Sequence, residues 1–404
     1  MNIKESARNK TLQIRKTIRI PDPLTVAKSL KAPEFGPGIL FFSGGSALRK
    51  LSQEIIKYSH NTIHLITPFD SGGSSAKIRD SFKMLSVGDL RNRLMALADK
   101  SIKGNPDIYE LFSYRFSKDE SEEKLLSRLI SMIKGHNKMV SCIPDPMRKI
   151  IRNHLKIFLN NMHDFSLRGA SIGNLILTGG YLNNERHIDP VVFLFSKLVE
   201  VRATVRPVIN EFMDIAVLLQ DGSMFVGQHL LSGKEHEPVK SPVKEIFLTK
   251  SRNKPVKENI SIRQKTHDLI MDADLICYPM GSFYSSLIAN FLPAGVGSAI
   301  SANKCLKVYI PNTGNDPEQL GMKMTDCIDN LLFYLQSSCS EKVKEEDILN
   351  YIIMDIKNGD YPELSDIDKY EKLGIKVVNT ELITEESKPY IDEDKLIPVL
   401  LSLA

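Results

Sequence analysis

The chain has 404 residues, 42% of them hydrophobic, and its 53 Lys and Arg against 49 Asp and Glu give a net charge of +4. This composition predicts a folded protein with a large core and argues against a disordered chain. No stretch approaches the run of about 18 apolar residues that a membrane span requires, and the N-terminal residues lack the apolar segment of a secretion signal.

Cysteine usage points to a reducing compartment. The five Cys are scattered and include no Cys-x-x-Cys pair, which argues against a disulfide scaffold and against a thiolate zinc site. The nine His form no metal-ligand pattern either. We therefore expect a cytoplasmic protein with no membrane contact.

The two ends of the chain carry opposite charge. Residues 1–20 hold six Lys or Arg against one Glu, whereas residues 341–404 hold 16 acids and 8 bases. We predict a basic N-terminal arm over residues 1–35, either solvated or in contact with an acidic partner protein, and a single domain over residues 36–404. Because residues 1–20 contain no aromatic side chain and the net charge is only +4, we expect no nucleic-acid partner.

A βαβ unit is predicted where the domain begins. Residues 39–42 are an apolar run that ends in a Ser-Gly-Gly turn, as expected of a buried strand. Residues 48–58 then place apolar side chains three or four apart, which is typical of a helix, and residues 62–67 form a second β-rich run. A strand, turn, helix and strand in succession predict neighbouring parallel strands.

The remainder of the chain predicts more helices and strands of the same class. Residues 93–165 show repeated helical patterns and are interpreted as a helical insertion. Asp221-Gly222 lies between alternating apolar runs and predicts a β-hairpin, whereas the basic stretch 240–265 is interpreted as poor in strands. Further strands are predicted at 275–278, at 307–310 and within 374–383, and a last helix at 392–402. The fold class is α/β, with a Rossmann-like, mostly parallel sheet.

The first candidate site is the turn that contains Gly44, Gly45 and Ser46, between a strand and a helix. Glycines there let backbone N–H groups face an anion, and the helix N-terminus adds a partial positive charge. The turn is neither a complete Rossmann fingerprint nor a Walker A loop, so a sharp connection without a ligand remains an alternative.

The second candidate site is the loop from Asp70 to Ser75, after the next strand. Loops that follow parallel strands open on the same carboxyl edge of the sheet. Amides and hydroxyls of Gly72, Gly73 and Ser74 suit phosphate oxygens, and Asp70 suits a divalent metal. The alternative is a polar loop that only caps the next helix.

Three further positions open predicted helices. Asp89 lies in a Gly-Asp-Leu-Arg-Asn segment, where it is either a ligand-binding acid or an N-cap. Asn174 follows Gly173, and Gly281-Ser282 follows the strand at 275–278. A glycine at that last turn can bring a backbone amide close to a ligand.

Taken in this order, the motifs over residues 39–312 resemble those of the CofD-like family. They comprise the glycine-rich turn, Asp-x-Gly-Gly-Ser-Ser, Gly-Asp-Leu-Arg-Asn, Gly-Asn and a Gly-Ser-x-Tyr-x-Ser-x-x-x-Asn turn. The family contains the 2-phospho-L-lactate transferases of deazaflavin coenzyme assembly and bacterial relatives that bind nucleotide sugars.

The resemblance implies a nucleotide diphosphate, of GDP or UDP type, bound at the carboxyl edge of the sheet. It makes Asp70 and Asp89 candidate catalytic residues and ligands of Mg²⁺, and Asn174 a ribose or phosphate contact. The phosphates would be lined by Gly44, Gly45, Ser46, Gly281 and Ser282. Relatives commonly self-associate, so a homodimer is also implied.

This chain departs from the usual family pattern at several positions. Ser43 and Ala47 flank only two glycines, and Asp70-Ser71 stands where paired acids are common. Ala170 stands where a His often precedes the Gly-Asn pair, and Pro279-Met280 replaces Gly-Pro. Two functions therefore compete. The first is a metal-dependent transferase that moves a phosphorylated small group to an acceptor hydroxyl, and the alternative is a regulatory protein that binds a nucleotide sugar without turning it over.

Overall fold

A computed structural model describes residues 17–101, 104–231 and 239–404. The strands are β1 (Ile39–Ser43), β2 (Ile63–Ile66), β3 (Thr204–Pro207), β4 (Asp214–Leu219), β5 (Met224–Val226), β6 (Val243–Thr249), β7 (Leu275–Tyr278), β8 (Leu306–Tyr309), β9 (Tyr351–Met354) and β10 (Lys376–Asn379). The α-helices are α1 (Pro23–Lys31), α2 (Arg49–Ile55), α3 (Gly73–Phe82), α4 (Gly88–Ala96), α5 (Pro106–Ser113), α6 (Glu122–Lys134), α7 (Lys138–Ser141), α8 (Met147–Asn161), α9 (Ile172–Asn183), α10 (Ile188–Leu198), α11 (Gln228–Leu231), α12 (Gln264–Met271), α13 (Val296–Ala302), α14 (Met324–Ser337) and α15 (Glu393–Leu403). A π-helical segment spans Phe283–Leu287, and 3₁₀ turns span Pro33–Phe35, Ile288–Phe291, Pro317–Gln319, Glu345–Asp347 and Ile367–Leu373.

Seven parallel strands form the main sheet in the order β10-β9-β8-β7-β1-β2-β3. Leu40 of β1 lies opposite Ile63 of β2 on one side and Ile276 of β7 on the other. These three central strands are buried along their whole length, as expected where helices cover both faces of a parallel sheet. The strand order reverses at β1, and open parallel sheets bind ligands at such a switch point. The predicted Rossmann-like α/β fold is confirmed.

A smaller antiparallel sheet has the order β5-β4-β6. Its hairpin turns at Asp221-Gly222, as predicted, and Leu219 N–H donates to the Ser223 carbonyl at 2.9 Å. β6 lies inside the stretch that was predicted to be poor in strands, so that prediction is wrong. Its last four residues, Ile246–Thr249, are buried and pair with β4, and basic residues on both sides of the strand had masked this short apolar run.

β9 was also missed by the sequence analysis. Tyr351–Met354 is an apolar run of only four residues between acidic segments, which is too short for its periodicity to be informative. It pairs in parallel with β8 and β10, so β10 reaches the sheet only through β9.

Part of the predicted N-terminal arm belongs to the fold. Residues 1–16 lie outside the described ranges, but Pro23–Lys31 forms α1, whose N-cap Asp22 accepts a hydrogen bond from the Leu24 N–H. α1 packs against α15, and Asp22 N–H donates to Ser402 Oγ at 2.7 Å. Residues 23–31 thus form a helix that packs against α15 while most of its side chains stay exposed, and the boundary of the arm stays a prediction.

The helices α5 to α8 occupy the region that was predicted as a helical insertion. α6 shows why the pattern was readable: Ser121 caps its start, Gly135 ends it with a φ of +78°, and Leu125, Leu129 and Met132 are buried on one face. Within the described ranges, every helix is too short or too polar to cross a membrane.

The Arg79 side chain of α3 joins the two sheets. It is fully buried and donates to the carbonyls of Phe69 and Met213 at 2.7 and 2.6 Å and to Asp214 Oδ1 at 2.9 Å. Arg252, after β6, donates to the other oxygen of Asp214 at 2.9 Å. The antiparallel sheet is thus tied through Asp214 to the loop that follows β2.

We predict that Arg79→Met lowers the free energy of unfolding by about 3–5 kcal/mol, because it leaves the buried Asp214 carboxylate short of a partner. Urea-induced unfolding measures the loss. Asp214→Leu in the same chain should restore part of it, and Lys395→Met, which breaks an exposed pair with Glu381, should change nothing measurable. An unaltered unfolding midpoint in Arg79→Met would contradict the tie between the sheets.

Candidate functional site

A cleft of about 320 Å³ lies at the carboxyl ends of β1, β2 and β7. It brings together all the residues that the sequence singled out: Gly44, Gly45, Ser46, Asp70, Gly72, Gly73, Ser74, Asp89, Asn174, Gly281 and Ser282. Their placement on one cleft is as expected from parallel strands, and their individual roles stay predictions.

The first turn packs directly against the start of α4. A Cβ on Gly45 would lie 1.9 Å from Asp89 Oδ1, so only glycine allows this approach. Asp89 is in the first turn of α4, whose N-cap position is held by Val87, so Asp89 is not the N-cap. α2 starts at Arg49, outside the residues that line the cleft, so the turn before it forms this wall.

Arg93 fixes the position of the turn that contains Gly44, Gly45 and Ser46. The sequence analysis did not identify this arginine. Its fully buried guanidinium donates to the carbonyls of Leu48 and Gly44 at 2.9 and 3.0 Å and to the Ser52 hydroxyl. Burial lowers the pKa of Arg93 to about 10, and the nearby Asp89 carboxylate opposes that shift. The cation therefore fixes the turn through carbonyl groups that a glycine-rich segment exposes.

The Asp70 loop forms the neighbouring wall. Asp70 Oδ1 accepts the Gly72 N–H at 3.0 Å, and a Cβ on Gly88 would lie 3.1 Å from Asp70 Oδ2 and 2.1 Å from Ser75 Oγ. Since Gly88 directly precedes Asp89, this packing places the two carboxylates on adjoining walls of the cleft.

A cationic group lines the same cleft beside these acids. Arg91 is 9% exposed and donates to Asn92 Oδ1 at 2.6 Å and to the Ser171 hydroxyl. Burial lowers the pKa of Arg91 to about 10, and the nearby cations Arg115 and Arg49 lower it further. Within the described ranges Arg91 forms no ion pair with a carboxylate. A buried cation among other cations is costly, so this wall is suited to a bound anion.

Asn174 supplies an acceptor near Arg91. It is 1% exposed, and its Oδ1 has no hydrogen-bond partner among the described residues. A Cβ on the preceding Gly173 would lie 2.8 Å from Arg91 Cδ, so this glycine lets the arginine lie against α9. A ligand hydroxyl or N–H would satisfy the Asn174 oxygen.

The turn after β7 differs from expectation. Gly281 and Ser282 line the cleft, but the Gly281 N–H, which was expected to face a ligand, donates to Asn312 Oδ1 at 2.8 Å. The amides that open the π-helical segment are also occupied: Phe283 donates to Asp316, and Tyr284 and Ser285 donate to Glu318. Burial and the Asp316 charge raise the pKa of Glu318. These acids lie more than 30 residues along the chain, so no local pattern indicated them.

The cleft fits a metal that is shared with a ligand. Within the described ranges no group of three or more His, Cys, Asp or Glu side chains could hold a metal ion. Mg²⁺ is commonly held by one or two carboxylates together with substrate phosphates and waters, and Asp70 and Asp89 supply two carboxylates in the same cleft as Arg91.

The fold and the cleft define a class: a Rossmann-like α/β protein with an arginine-lined cleft at the switch point of its sheet. Residues 39–383 match the family model described as 2-phospho-L-lactate transferase CofD. The chain belongs to this family, as its motif order had indicated.

Curated relatives and solved structures agree with this assignment. A putative gluconeogenesis factor of Thermoanaerobacterium thermosulfurigenes is 28% identical over 91% of this chain and 97% of its own length. The gluconeogenesis factor of Bacillus subtilis is 25% identical over 86% of this chain and 92% of its own. The crystal structure of a UPF0052-family protein from Bacillus halodurans covers 90% of this chain with a TM-score of 0.66, at 20% identity, and shows the same fold.

We predict that Arg91→Met weakens the binding of inorganic pyrophosphate about ten- to hundredfold, since it removes charge-assisted hydrogen bonds. The stability of the free protein should not fall, because an unpaired buried cation is lost. Thermal unfolding with and without pyrophosphate measures both effects. Lys156→Met, on the exposed side of α8, makes the same charge change and should leave pyrophosphate binding intact.

We also predict that Gly45→Ala lowers the free energy of unfolding by about 1–3 kcal/mol, because the new methyl group collides with Asp89. Gly314→Ala is the matched control, since its Cβ would meet only Tyr390 Cε1 at 3.6 Å. The cost of Gly45→Ala should shrink in an Asp89→Ala background. Equal costs in both backgrounds would show that the carboxylate is not what excludes a side chain at this position.

Proposed function

We propose that the protein binds a nucleotide-activated small molecule through its diphosphate and transfers the phosphorylated small group to an acceptor hydroxyl. The observation that carries the proposal is Arg91, a buried guanidinium beside two other cations and without a carboxylate partner among the described residues. A diphosphate supplies the negative charge that this wall of the cleft lacks.

Each type of residue in the cleft has a different role in this proposal. Arg91 and Arg115 bind phosphate oxygens and stabilise the charge that builds on them as the bridging bond breaks. Gly45 and Ser46 let the chain approach the phosphates closely, and Asn174 accepts a hydrogen bond from the ligand. Asp70 and Asp89 would hold Mg²⁺, which neutralises phosphate charge when it is bound.

The transfer itself is a displacement at phosphorus. The acceptor hydroxyl loses its proton to solvent water, its oxygen forms a bond to the phosphorus nearest the transferred group, and the bond from that phosphorus to the bridging oxygen breaks. The electron pair stays on the leaving nucleoside monophosphate. The arginine-lined wall lowers the barrier because it is already oriented before the charge moves.

A regulatory binding protein is the second candidate, and two observations favour it. The curated relatives are named gluconeogenesis factors, a name that states no reaction. In addition, Ser71 stands beside Asp70 where a second acid is common in relatives, and among the described residues Asp70 and Asp89 are the two acids that line the cleft. In this case the ligand is bound and released unchanged. A partner protein, or the second subunit of a homodimer, then binds differently to the ligand-bound protein than to the free protein.

We predict that GDP, UDP, GDP-mannose or UDP-glucose raises the thermal unfolding temperature, with a gain in stability of about 2.7 kcal/mol at a hundredfold excess over Kd. Mg²⁺ should enlarge the shift. Asp70→Asn and Asp89→Asn should abolish the Mg²⁺-dependent part and any release of nucleoside monophosphate, whereas Asp107→Asn, on the exposed side of α5, should behave as wild type.

The two candidate functions give different products from the same incubation. Release of GMP or UMP, followed by ³¹P NMR, identifies a transferase. Recovery of the nucleotide sugar unchanged, with a normal thermal shift, identifies the binding protein. No shift with any of these ligands would overturn the proposal for the cleft as a whole.

A further inference from the structure

The two ends of the cleft differ in polarity. β1 lies between β7 and β2 in the sheet, so the turns after these three strands follow one another along the cleft. Among the described residues, the apolar side chains of the lining come only from β1, the turn after it and the segment after β7: Phe42, Ala47, Leu48, Pro279, Met280 and Leu287. The other described lining residues are glycine, polar or charged. We call the side next to β7 the apolar end and the side next to β2 the polar end.

Contacts between separate segments hold the polar end together. Arg115 Nη1 donates to Ser74 Oγ at 3.1 Å, and Ser71 Oγ contacts His229 Nδ1 at 2.8 Å. Arg91 is close enough to Arg115 for the charge of Arg115 to lower its pKa. This end therefore combines cations with hydroxyl and amide groups, which suits phosphate oxygens and the hydroxyl groups of a ligand.

At the apolar end, the turns after β1 and β7 lie against each other. A Cβ on Gly281 would lie 3.6 Å from Ala47 Cβ, which is ordinary van der Waals contact. Pro279 and Leu287 are buried, whereas Ala47 is exposed and Met280 is half-buried. Ala47 and Met280 are thus the apolar side chains that a ligand reaches at this end.

Backbone amides at the apolar end are already occupied, and two of their partners are acids. Asn312 accepts the Gly281 N–H, Asp316 accepts the Phe283 N–H, and Glu318 accepts the next two amides. A phosphate placed here would find these four amides taken and would lie close to two carboxyl groups. Because like charges repel, the diphosphate is favoured at the polar end instead.

We propose that the ligand lies in one direction along the cleft, with its nucleoside on the apolar end against Met280 and its diphosphate directed toward Arg91 and Arg115. The group beyond the diphosphate then lies beside the Asp70 loop. This inference rests on the nucleotide binding proposed above, and it holds for the transferase and for the regulatory protein alike.

The chemistry of the ligand matches this direction. A nucleobase is flat and uncharged, so it fits an apolar wall, and a methionine adapts to the shape of a ring and makes favourable sulfur–aromatic contacts. A small group that carries hydroxyls needs hydrogen-bond partners, and the described residues of the polar end supply them. The reverse direction would place the base among charges and the hydroxyl groups on an apolar surface.

Photocrosslinking with 4-thio-UDP, whose reactive sulfur is on the base, tests the direction. After irradiation of the full chain, mass spectrometry of the peptides should place the adduct within residues 44–47 or 279–287. Excess UDP should suppress this labelling. An adduct within residues 70–75, 89–92 or 228–229 would overturn the direction, since the base would then occupy the polar end.

Affinities of Met280 variants, measured by isothermal titration calorimetry, test the same contact. Met280→Ala should weaken the binding of UDP and GDP about tenfold and leave pyrophosphate unaffected, because pyrophosphate has no nucleoside. Met280→Leu keeps an apolar side chain of similar volume and should retain most of the nucleotide affinity. Met271→Ala, at an exposed position of α12, is the matched control and should bind all three ligands as wild type does.

The outcomes separate this inference from the function on which it rests. If wild type binds UDP and GDP, and Met280→Ala weakens them less than twofold, the nucleoside lies elsewhere and the nucleotide-binding function stands. The same conclusion follows if Met280→Ala weakens pyrophosphate as much as the nucleotides, since the effect is then on the shape of the whole cleft. If wild type binds neither the nucleotides nor pyrophosphate, the proposed function fails, and this inference fails with it.

Discussion

Buried arginines at the carboxyl edge of the main sheet decide where its loops lie. Arg79 ties the loop after β2 to the antiparallel sheet, and Arg93 ties the turn after β1 to α4. Each guanidinium satisfies several backbone carbonyls at once, and a loop whose carbonyls are bonded in this way cannot shift without leaving buried polar groups unpaired. The shape of the cleft follows from these contacts rather than from the strands alone.

Arg91 differs from Arg79 and Arg93 in its partners. Arg79 and Arg93 hold loops in place, whereas Arg91 lines the cleft. Arg79 has a carboxylate partner, and Arg93 has carbonyl partners together with the nearby charge of Asp89. Among the described residues, Arg91 donates to the neutral side chains of Ser171 and Asn92 and lies near the cations Arg115 and Arg49. The chain therefore buries at Arg91 a cation whose charge no described carboxylate balances, and this burial costs stability.

The sequence analysis succeeded where local pattern and tertiary structure agree. The strand at 39–43 and the helix at 122–134 were readable, because their periodicity and their caps coincide with their buried faces. It failed for Val243–Thr249 and Tyr351–Met354. These segments are strands because they pair with β4 and β8, and those pairings are made by tertiary structure. Short apolar runs among charges have no periodicity that could distinguish a strand from a loop.

The sequence by itself determined the fold class and the family. It also determined which residues line the cleft, because loops after parallel strands must meet at one edge of the sheet. Only the tertiary structure decided what each residue there can do. Ser71 and His229 are in contact although they are 158 positions apart. The carboxylates of Asp316 and Glu318 accept hydrogen bonds from backbone amides more than 30 residues away. Such contacts depend on how separate elements pack, and no spacing along the chain encodes them.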